Sequence, residues 1–185
     1  MRSRRRDEKG ASLVEVGLVL PLLILLAVGL SEVGFLVIDY ITVTNAARSG
    51  ARTGAAAADD PLADDFILNV VEEAACNLRF GDLEKVYIFD APASGEMPTL
   101  PSTDVNVYVN GGTLQCNLGA HGLVPDTNCC GWPSTGRDRT PPSFDTIGVR
   151  VEFTHSSVTG IFPFPTTNWD ETAVMQVEPD TRGSQ

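Results

Sequence analysis

Hydrophobic residues form one long, nearly continuous run near the start of the chain and short alternating runs towards its end. From Val16 to Leu30 the sequence is apolar except for small residues and Pro21, and apolar residues resume at 35–38. Crossing a hydrocarbon core of roughly 30 Å takes about 20 such residues in a helix. The pattern therefore predicts a membrane-spanning helix that continues as a stem to residue 55.

Small residues recur after the membrane segment. Ala47, Ala51 and Ala55 repeat every fourth residue, with Gly50 and Gly54 beside them. On a helix this spacing makes one face that another backbone can approach closely. The face would pack either sister stems or the protein's own sheet, and an ordinary alanine-rich extension is the alternative.

A second helix is expected to follow the stem. Asp60 and Pro61 supply a capping residue and a first-turn proline, and the helix should end near Arg79. Its predicted apolar face consists of Leu62, Phe66, Val70 and Ala74.

Beyond Gly81 the hydrophobic period becomes two. Strands are predicted at 86–89, 105–109, 147–153 and 173–177, with Arg150 and Glu152 facing away from Val149, Val151 and Phe153. The order predicts an α+β fold with two helices and a small, mostly antiparallel sheet. We expect a basic leader at 1–10, a transmembrane and stem helix at 11–55, and a head domain at 56–185.

Charge is divided unequally along the chain. Five cations precede the apolar run, namely Arg2, Arg4, Arg5, Arg6 and Lys9. Residues 39–44 contain none, so the positive-inside rule predicts a cytoplasmic amino terminus and an extracytoplasmic head in a single-pass membrane protein. Residues 11–185 contain 8 Lys or Arg and 22 Asp or Glu, a net charge of −14. Such a surface repels nucleic acid, which we do not expect as a partner.

The junction between leader and span has three interpretations. A secretory signal peptide would be removed near 27–29, and a plain anchor would stay uncut. A pilin-type leader would be cut between Gly10 and Ala11, leaving the span in place. Glu15 favours the third interpretation, because a carboxylate in hydrocarbon costs about 2.5–3.5 kcal/mol and usually has a partner. It would otherwise reach water at the cytoplasmic interface.

Two further carboxylates, Glu32 and Asp39, are one heptad apart and share a helix face. We expect them to mark the outer, solvated end of the helix.

The segments 10–15 and 44–52, with the apolar run around Pro21, resemble the TadE-like family of Flp pilus assembly proteins. Weaker similarity lies at 145–151 and 173–179. The resemblance implies a minor pilin or pseudopilin of the tight-adherence system, with the membrane, other pilin subunits and a prepilin peptidase as partners. It also implies that Glu15 pairs with the Ala11 amine of a neighbouring subunit. Val16 stands where Flp-type motifs usually carry an aromatic residue.

Function is therefore expected to be structural. The alternative is a permanently anchored extracytoplasmic binding module. The chain contains only two histidines, His121 and His155, and no G-x-S-x-G, H-E-x-x-H or phosphate-binding glycine loop. We expect no catalytic residues and no cofactor, and His155 should simply end a strand.

The four cysteines are Cys76, Cys116, Cys129 and Cys130. An even count in an exported protein favours two disulfides, and the two adjacent cysteines are expected to take different partners, Cys76 and Cys116 in either order. Zinc held by the last three cysteines and His121 is the alternative, but the spacing lacks paired C-x-x-C motifs. We therefore expect no metal site.

Overall fold

Helix α1 (Arg4–Ala57) contains 54 residues and dominates the computed structural model. At 1.5 Å per residue it is about 80 Å long. The structure describes residues 4–112, 114, 116, 121–127, 129–140, 142–160 and 167–179.

The first half of α1 projects alone. Every residue from Ser12 to Ala27 is exposed, and the first buried residue after this segment is Glu32. Within the described residues, α1 is the one helix long and apolar enough to cross a membrane by length and composition. The segment 12–31 has about the length, 30 Å, that a hydrocarbon core requires.

The head combines α2 (Ala63–Ala75) with an antiparallel sheet. The strands are β1 (Gly81–Asp90), β2 (Val105–Asn110), β3 (Leu123–Pro125), β4 (Arg139–Thr140), β5 (Ser143–Phe144), β6 (Thr146–His155) and β7 (Thr167–Gln176). Five of them form the sheet in the order β3-β2-β1-β6-β7, and β4 pairs with β5 separately. The predicted α+β class is confirmed.

The four predicted strand segments are confirmed in β1, β2, β6 and β7, although β1 and β7 begin five and six residues earlier than predicted and Val177 lies just beyond β7. In β6, Val149, Val151 and Phe153 are buried, whereas Arg150 and Glu152 between them are partly exposed, as the alternation predicts. Strands β3, β4 and β5 were not predicted, because each has two or three residues in a segment rich in Gly and Pro.

The second half of α1 is the centre of the head's core. A Cβ at Gly50 would lie 2.7 Å from Val71 Cγ2 on α2, and one at Gly54 would lie 2.8 Å from Ile67 Cδ1 and 3.1 Å from Ile147 Cγ2 on β6. The stripe of small residues therefore packs against the protein's own second helix and sheet. Glycine suits these positions because side chains of α2 and β6 already fill the space that a Cβ would occupy.

The predicted apolar face of α2 is wrong. Its buried residues are Ala63, Ile67, Leu68, Val71, Glu72 and Ala75, whereas Leu62 is 53 % and Phe66 42 % exposed. The face was misplaced because α2 has two adjacent apolar rows at four-residue spacing, and the prediction took 62/66/70/74 where the structure buries 63/67/71/75. The helix also begins later than predicted, with Asp60 Oδ1 accepting the Leu62 amide at 2.8 Å, and it ends at Ala75 instead of near Arg79.

A smaller apolar cluster covers the opposite face of the sheet. Tyr87, Phe89, Val105 and Val107 are buried there, with Met97 packed against them. Gly148 on β6 leaves the space that the Phe89 ring fills, since a Cβ at this position would overlap the ring.

Replacing Gly54 with Leu should destabilise the head, because the new side chain would overlap Ile67 and Ile147. Overpacking of this kind costs about 1–3 kcal/mol, which in a chain of this size lowers the melting temperature by several degrees. Thermal unfolding of the detergent-solubilised full chain measures the effect. Ala56→Leu, on the exposed side of the same turn, is the matched control and should be nearly neutral. Equal melting temperatures for the two variants would contradict the packing.

Candidate assembly site

The predicted processing and assembly residues lie in the projecting part of α1. Gly10 and Ala11 belong to the helix, and a Cβ built at Gly10 would meet nothing within 4 Å. Glu15 is exposed among apolar side chains, and none of the ion pairs in the described part of the chain includes it. The cleavage predicted at Gly10 and Ala11 and the assembly role predicted for Glu15 stay predictions.

Glu32 joins the stem to the head directly after the projecting segment. Its side chain is 4 % exposed, and its oxygens accept hydrogen bonds from the Val158 amide at 3.0 Å, the Thr159 amide at 2.7 Å and the Thr159 hydroxyl at 2.6 Å. Charge-assisted bonds to backbone amides are among the stronger ones in proteins. Glu32 thereby fixes the loop after β6 to the stem.

Asp39, two turns further along α1, is fully buried. It accepts hydrogen bonds from the Arg79 amide at 3.0 Å, the Phe80 amide at 3.4 Å and His155 Nδ1 at 2.9 Å. Because a carboxylate only accepts, Nδ1 of His155 carries the proton in this contact. The segment before β1 and the end of β6 are thus tied to one stem residue.

The expectation that Glu32 and Asp39 are solvated is therefore wrong, although they do share a helix face. Both carboxylates are hydrogen-bonded to backbone groups of the head, which offsets the cost of burying them. His155 ends its strand as predicted and is also a partner of Asp39. Two acids one heptad apart in an apolar helix were the available signal for this junction.

Aromatic side chains complete the junction. The rings of Phe35 and Phe80 lie 4.8 Å apart, and those of Tyr40 and Trp169 lie 5.8 Å apart. Stem and head are therefore held together by apolar contacts as well as by buried carboxylates.

A second group of acids, on α2, holds the long loops of the head. Asp64 accepts hydrogen bonds from Asn106 and Tyr108, both at 2.8 Å, and from the buried Arg137 guanidinium. That guanidinium lies 4.3 Å from the centre of the Trp132 ring. Burial and the neighbouring Asp64 carboxylate raise the pKa of Tyr108, so its hydroxyl stays a donor.

Glu72 and His121 hold the next loop. Both Glu72 oxygens accept from the Gly122 amide, at 3.0 and 2.7 Å. His121 Nδ1 lies 2.8 Å from the Leu123 carbonyl and Nε2 lies 3.2 Å from Asp65 Oδ1. These contacts account structurally for His121, the histidine considered as a zinc ligand.

The predicted disulfide pairing is wrong. Cys76 pairs with Cys116, and Cys129 pairs with Cys130. Cys76, at the end of α2, lies 5.8 Å from Cys116 between Cα atoms, close to the usual separation, and this contact leaves the adjacent cysteines to each other. No free thiol remains, and among the described residues no three His, Cys, Asp or Glu side chains cluster as metal ligands.

A groove of about 450 Å³ lies on the sheet face opposite the helices. Its lining combines apolar side chains with Lys85, Tyr87 and Asp126. Burial, with the nearby Glu152 carboxylate, raises the pKa of Tyr87 to about 12, so its hydroxyl remains protonated at neutral pH.

Comparison with known proteins gives a family match for the first part of the chain. Residues 10–52 match the family model described as TadE-like protein. The match includes the leader junction, the projecting apolar segment and most of the stem, and it confirms the resemblance seen in the sequence over these residues. No curated protein and no solved structure matches the chain significantly.

Replacing Asp39 with Ala should destabilise the head, because the Arg79 and Phe80 amides and His155 would lose their common acceptor. Leaving buried donors unsatisfied costs about 1–3 kcal/mol. Thermal unfolding of the full chain in detergent measures the loss. Thr42→Ala is the control, since among the described residues the Thr42 hydroxyl donates to the carbonyl of Ile38 in its own helix and to no group of the head. The junction would be disproved by equal melting temperatures.

Peptide mapping without reductant should yield a linked pair of peptides containing Cys76 and Cys116. Cys129 and Cys130 should appear in one peptide, two hydrogens lighter than after reduction. The Cys76–Cys116 bridge closes a loop of 40 residues, so the Cys76→Ala/Cys116→Ala variant should lose about 2–4 kcal/mol of stability. A peptide that links Cys76 to Cys129 or Cys130 would overturn this pairing.

Proposed function

We propose that this protein, whose stem matches the TadE-like family, is a structural subunit of a Flp (tight-adherence) type IV pilus or secretion assembly, acting as a minor pilin or pseudopilin. The observation that carries the proposal is the construction of α1. One uninterrupted helix bears the exposed apolar segment with its single carboxylate, Glu15, and also forms the core of the head.

Membrane insertion follows from the exposed apolar segment. The cations before it favour a cytoplasmic amino terminus, which places the head on the outer side. Two disulfides in the head are consistent with an oxidising compartment.

Glu15 has the chemistry needed to select assembly with similar stems. Cutting between Gly10 and Ala11 would create an amine four residues before Glu15. A neighbouring subunit's amine would neutralise the Glu15 carboxylate inside the bilayer, where each charge alone is costly. Within one chain the Ala11 amine and Glu15 lie on the same helix face. Where two such faces meet between adjacent stems, the amines and carboxylates of both chains come close together.

The junction suits a structural role. Glu32, Asp39 and His155 join the stem to the head through hydrogen bonds to backbone and side chain. A force applied to the stem would therefore reach the head without passing through a linker. No catalytic step, cofactor or metal is required, and a prepilin peptidase is the enzyme that would act on the chain.

A permanently anchored binding module is the second candidate. The groove beside Lys85 and Tyr87 favours it, since an open site with an apolar base and a few polar groups is typical of ligand binding. An uncut amino terminus is required by this alternative and excluded by the pilin proposal.

Glu15→Ala should leave processing and insertion intact and abolish association with sister stems. Amino-terminal sequencing of membrane-extracted protein should give Ala11 for both wild type and variant, because the cut site and the apolar segment are unchanged. Crosslinking in membranes should then show at least about tenfold less subunit adduct for the variant, because the Ala11 amine loses its partner; an unpaired charge costs about 2.5–3.5 kcal/mol and about 1.4 kcal/mol already corresponds to tenfold.

Gly17→Ala is the matched control, since a Cβ there meets nothing within 4 Å. It should crosslink as the wild type does. A wild-type terminus at residue 1 would favour the anchored module, and a terminus near residue 30 would favour a signal peptide. Normal crosslinking of Glu15→Ala would refute the role given to this carboxylate.

A further inference from the structure

We propose that two exposed helix faces of this protein bind each other between copies: the outward stripe of α2 on one subunit and the outward face of the stem on the next. The inference rests on the proposed assembly role, for which it names the surfaces and the partner. The partner is a second copy of this chain.

The outward stripe of α2 consists of Leu62, Phe66 and Glu73, three exposed residues that share one helix face at spacings of four and seven. Leu62 and Phe66 are about half exposed. An aromatic and a leucine side by side on a helix surface form the kind of apolar contact on which interfaces are centred. Two of the four carboxylates of α2, Asp65 and Glu73, are exposed, and the helix has no cation.

The outward face of the stem combines an exposed apolar surface with positive charge, the opposite sign to that of α2. Ile41, Arg48 and Arg52 lie on one face, at spacings of seven and four residues, and all three are exposed. Val37 and Ile38 extend the exposed apolar surface towards the membrane. Neither arginine takes part in an ion pair among the residues that the structure describes.

Charge burial explains the contrast between the two faces. Between residues 32 and 57 the chain has two acids and two cations, but Glu32 and Asp39 are buried in the junction. The exposed charge of this stem segment is therefore positive, in a protein whose residues 11–185 have a net charge of −14. Acidic heads repel one another, and the two arginines are the part of the stem that attracts them.

These surfaces do not meet within one subunit. On its other side, α2 packs against its own stem through Ile67 and Val71, which contact the positions of Gly50 and Gly54. The outward stripe therefore faces away from its own α1. Contact between two different surfaces is a heterologous interface, which continues from copy to copy as a ring or an open helical array. A filament subunit needs an interface of this kind.

Charge reversal tests the proposal in full-length, processed protein. Two differently tagged copies are co-expressed, extracted in a neutral detergent and assayed for co-purification and sedimentation. Arg52→Glu alone and Glu73→Arg alone should each weaken association about fivefold or more, and the double variant should return to within about twofold of wild type. Higher salt should weaken the wild-type complex, because exposed charges are screened.

Two controls separate the interface from folding and processing. Phe66→Ala should weaken association at every salt concentration, whereas Val124→Ala, at an equally exposed apolar position on β3, should not. Glu96→Arg, a charge reversal at an exposed acid outside both faces, should also have no effect. All variants keep Gly10, Ala11 and Glu15, so their amino terminus reports separately on the proposed function.

Rescue by the double variant, together with the loss in Phe66→Ala, would establish the interface. Single reversals without effect, or a double variant as weak as the singles, would overturn it. A wild-type chain that is correctly cut after Gly10 but remains monomeric would also overturn it. The proposed assembly role would then depend on contacts with other kinds of subunit.

Discussion

Close packing of α1 against α2 and β6 is the constraint on which the rest of the structure depends. Gly50 and Gly54 allow the helix to approach within contact distance of Val71, Ile67 and Ile147, so one element serves the bilayer at one end and the head's core at the other. The sheet then needs no separate helix to cover this part of its face, and α2 can bury its apolar side against the stem. Its polar positions remain available to hold the loops.

Buried carboxylates give the head much of its specificity. Glu32, Asp39, Asp64 and Glu72 each accept hydrogen bonds from segments distant in sequence. Burying a carboxylate is costly unless such donors are present. Each acid therefore stabilises the one arrangement of loop and helix that supplies its donors, and other arrangements are disfavoured. This explains how a head with long irregular segments keeps a defined shape with a modest apolar core.

The sequence was informative where the hydrophobic period was long and misleading where polar groups are buried. The long helix α1 and the strand alternation around Val151 follow from the pattern, whereas the small-residue stripe was recognised without deciding whether it packs sister stems or the protein's own head. The buried face of α2 did not, since Glu72 lies inside and Phe66 outside. The cysteine partners depend on where the end of α2 meets a distant loop, which spacing alone does not specify. For the junction, the sequence indicated only that Glu32 and Asp39 share a helix face. It did not indicate the backbone amides and His155 that bind them.

With α1 spanning a bilayer as proposed, the hydrogen bonds at Glu32 would couple the head's position to the bilayer's thickness. Helices that span a membrane adjust to a thinner or thicker hydrocarbon core by changing their tilt, which averages about 20°. From Glu32 to the end of α1 the helix extends about 40 Å. A lever of that length, tilted by about 20°, carries its far end sideways by about 13 Å. Lipid composition would therefore set the position of the head's outer end, and with it which neighbouring subunits can reach it.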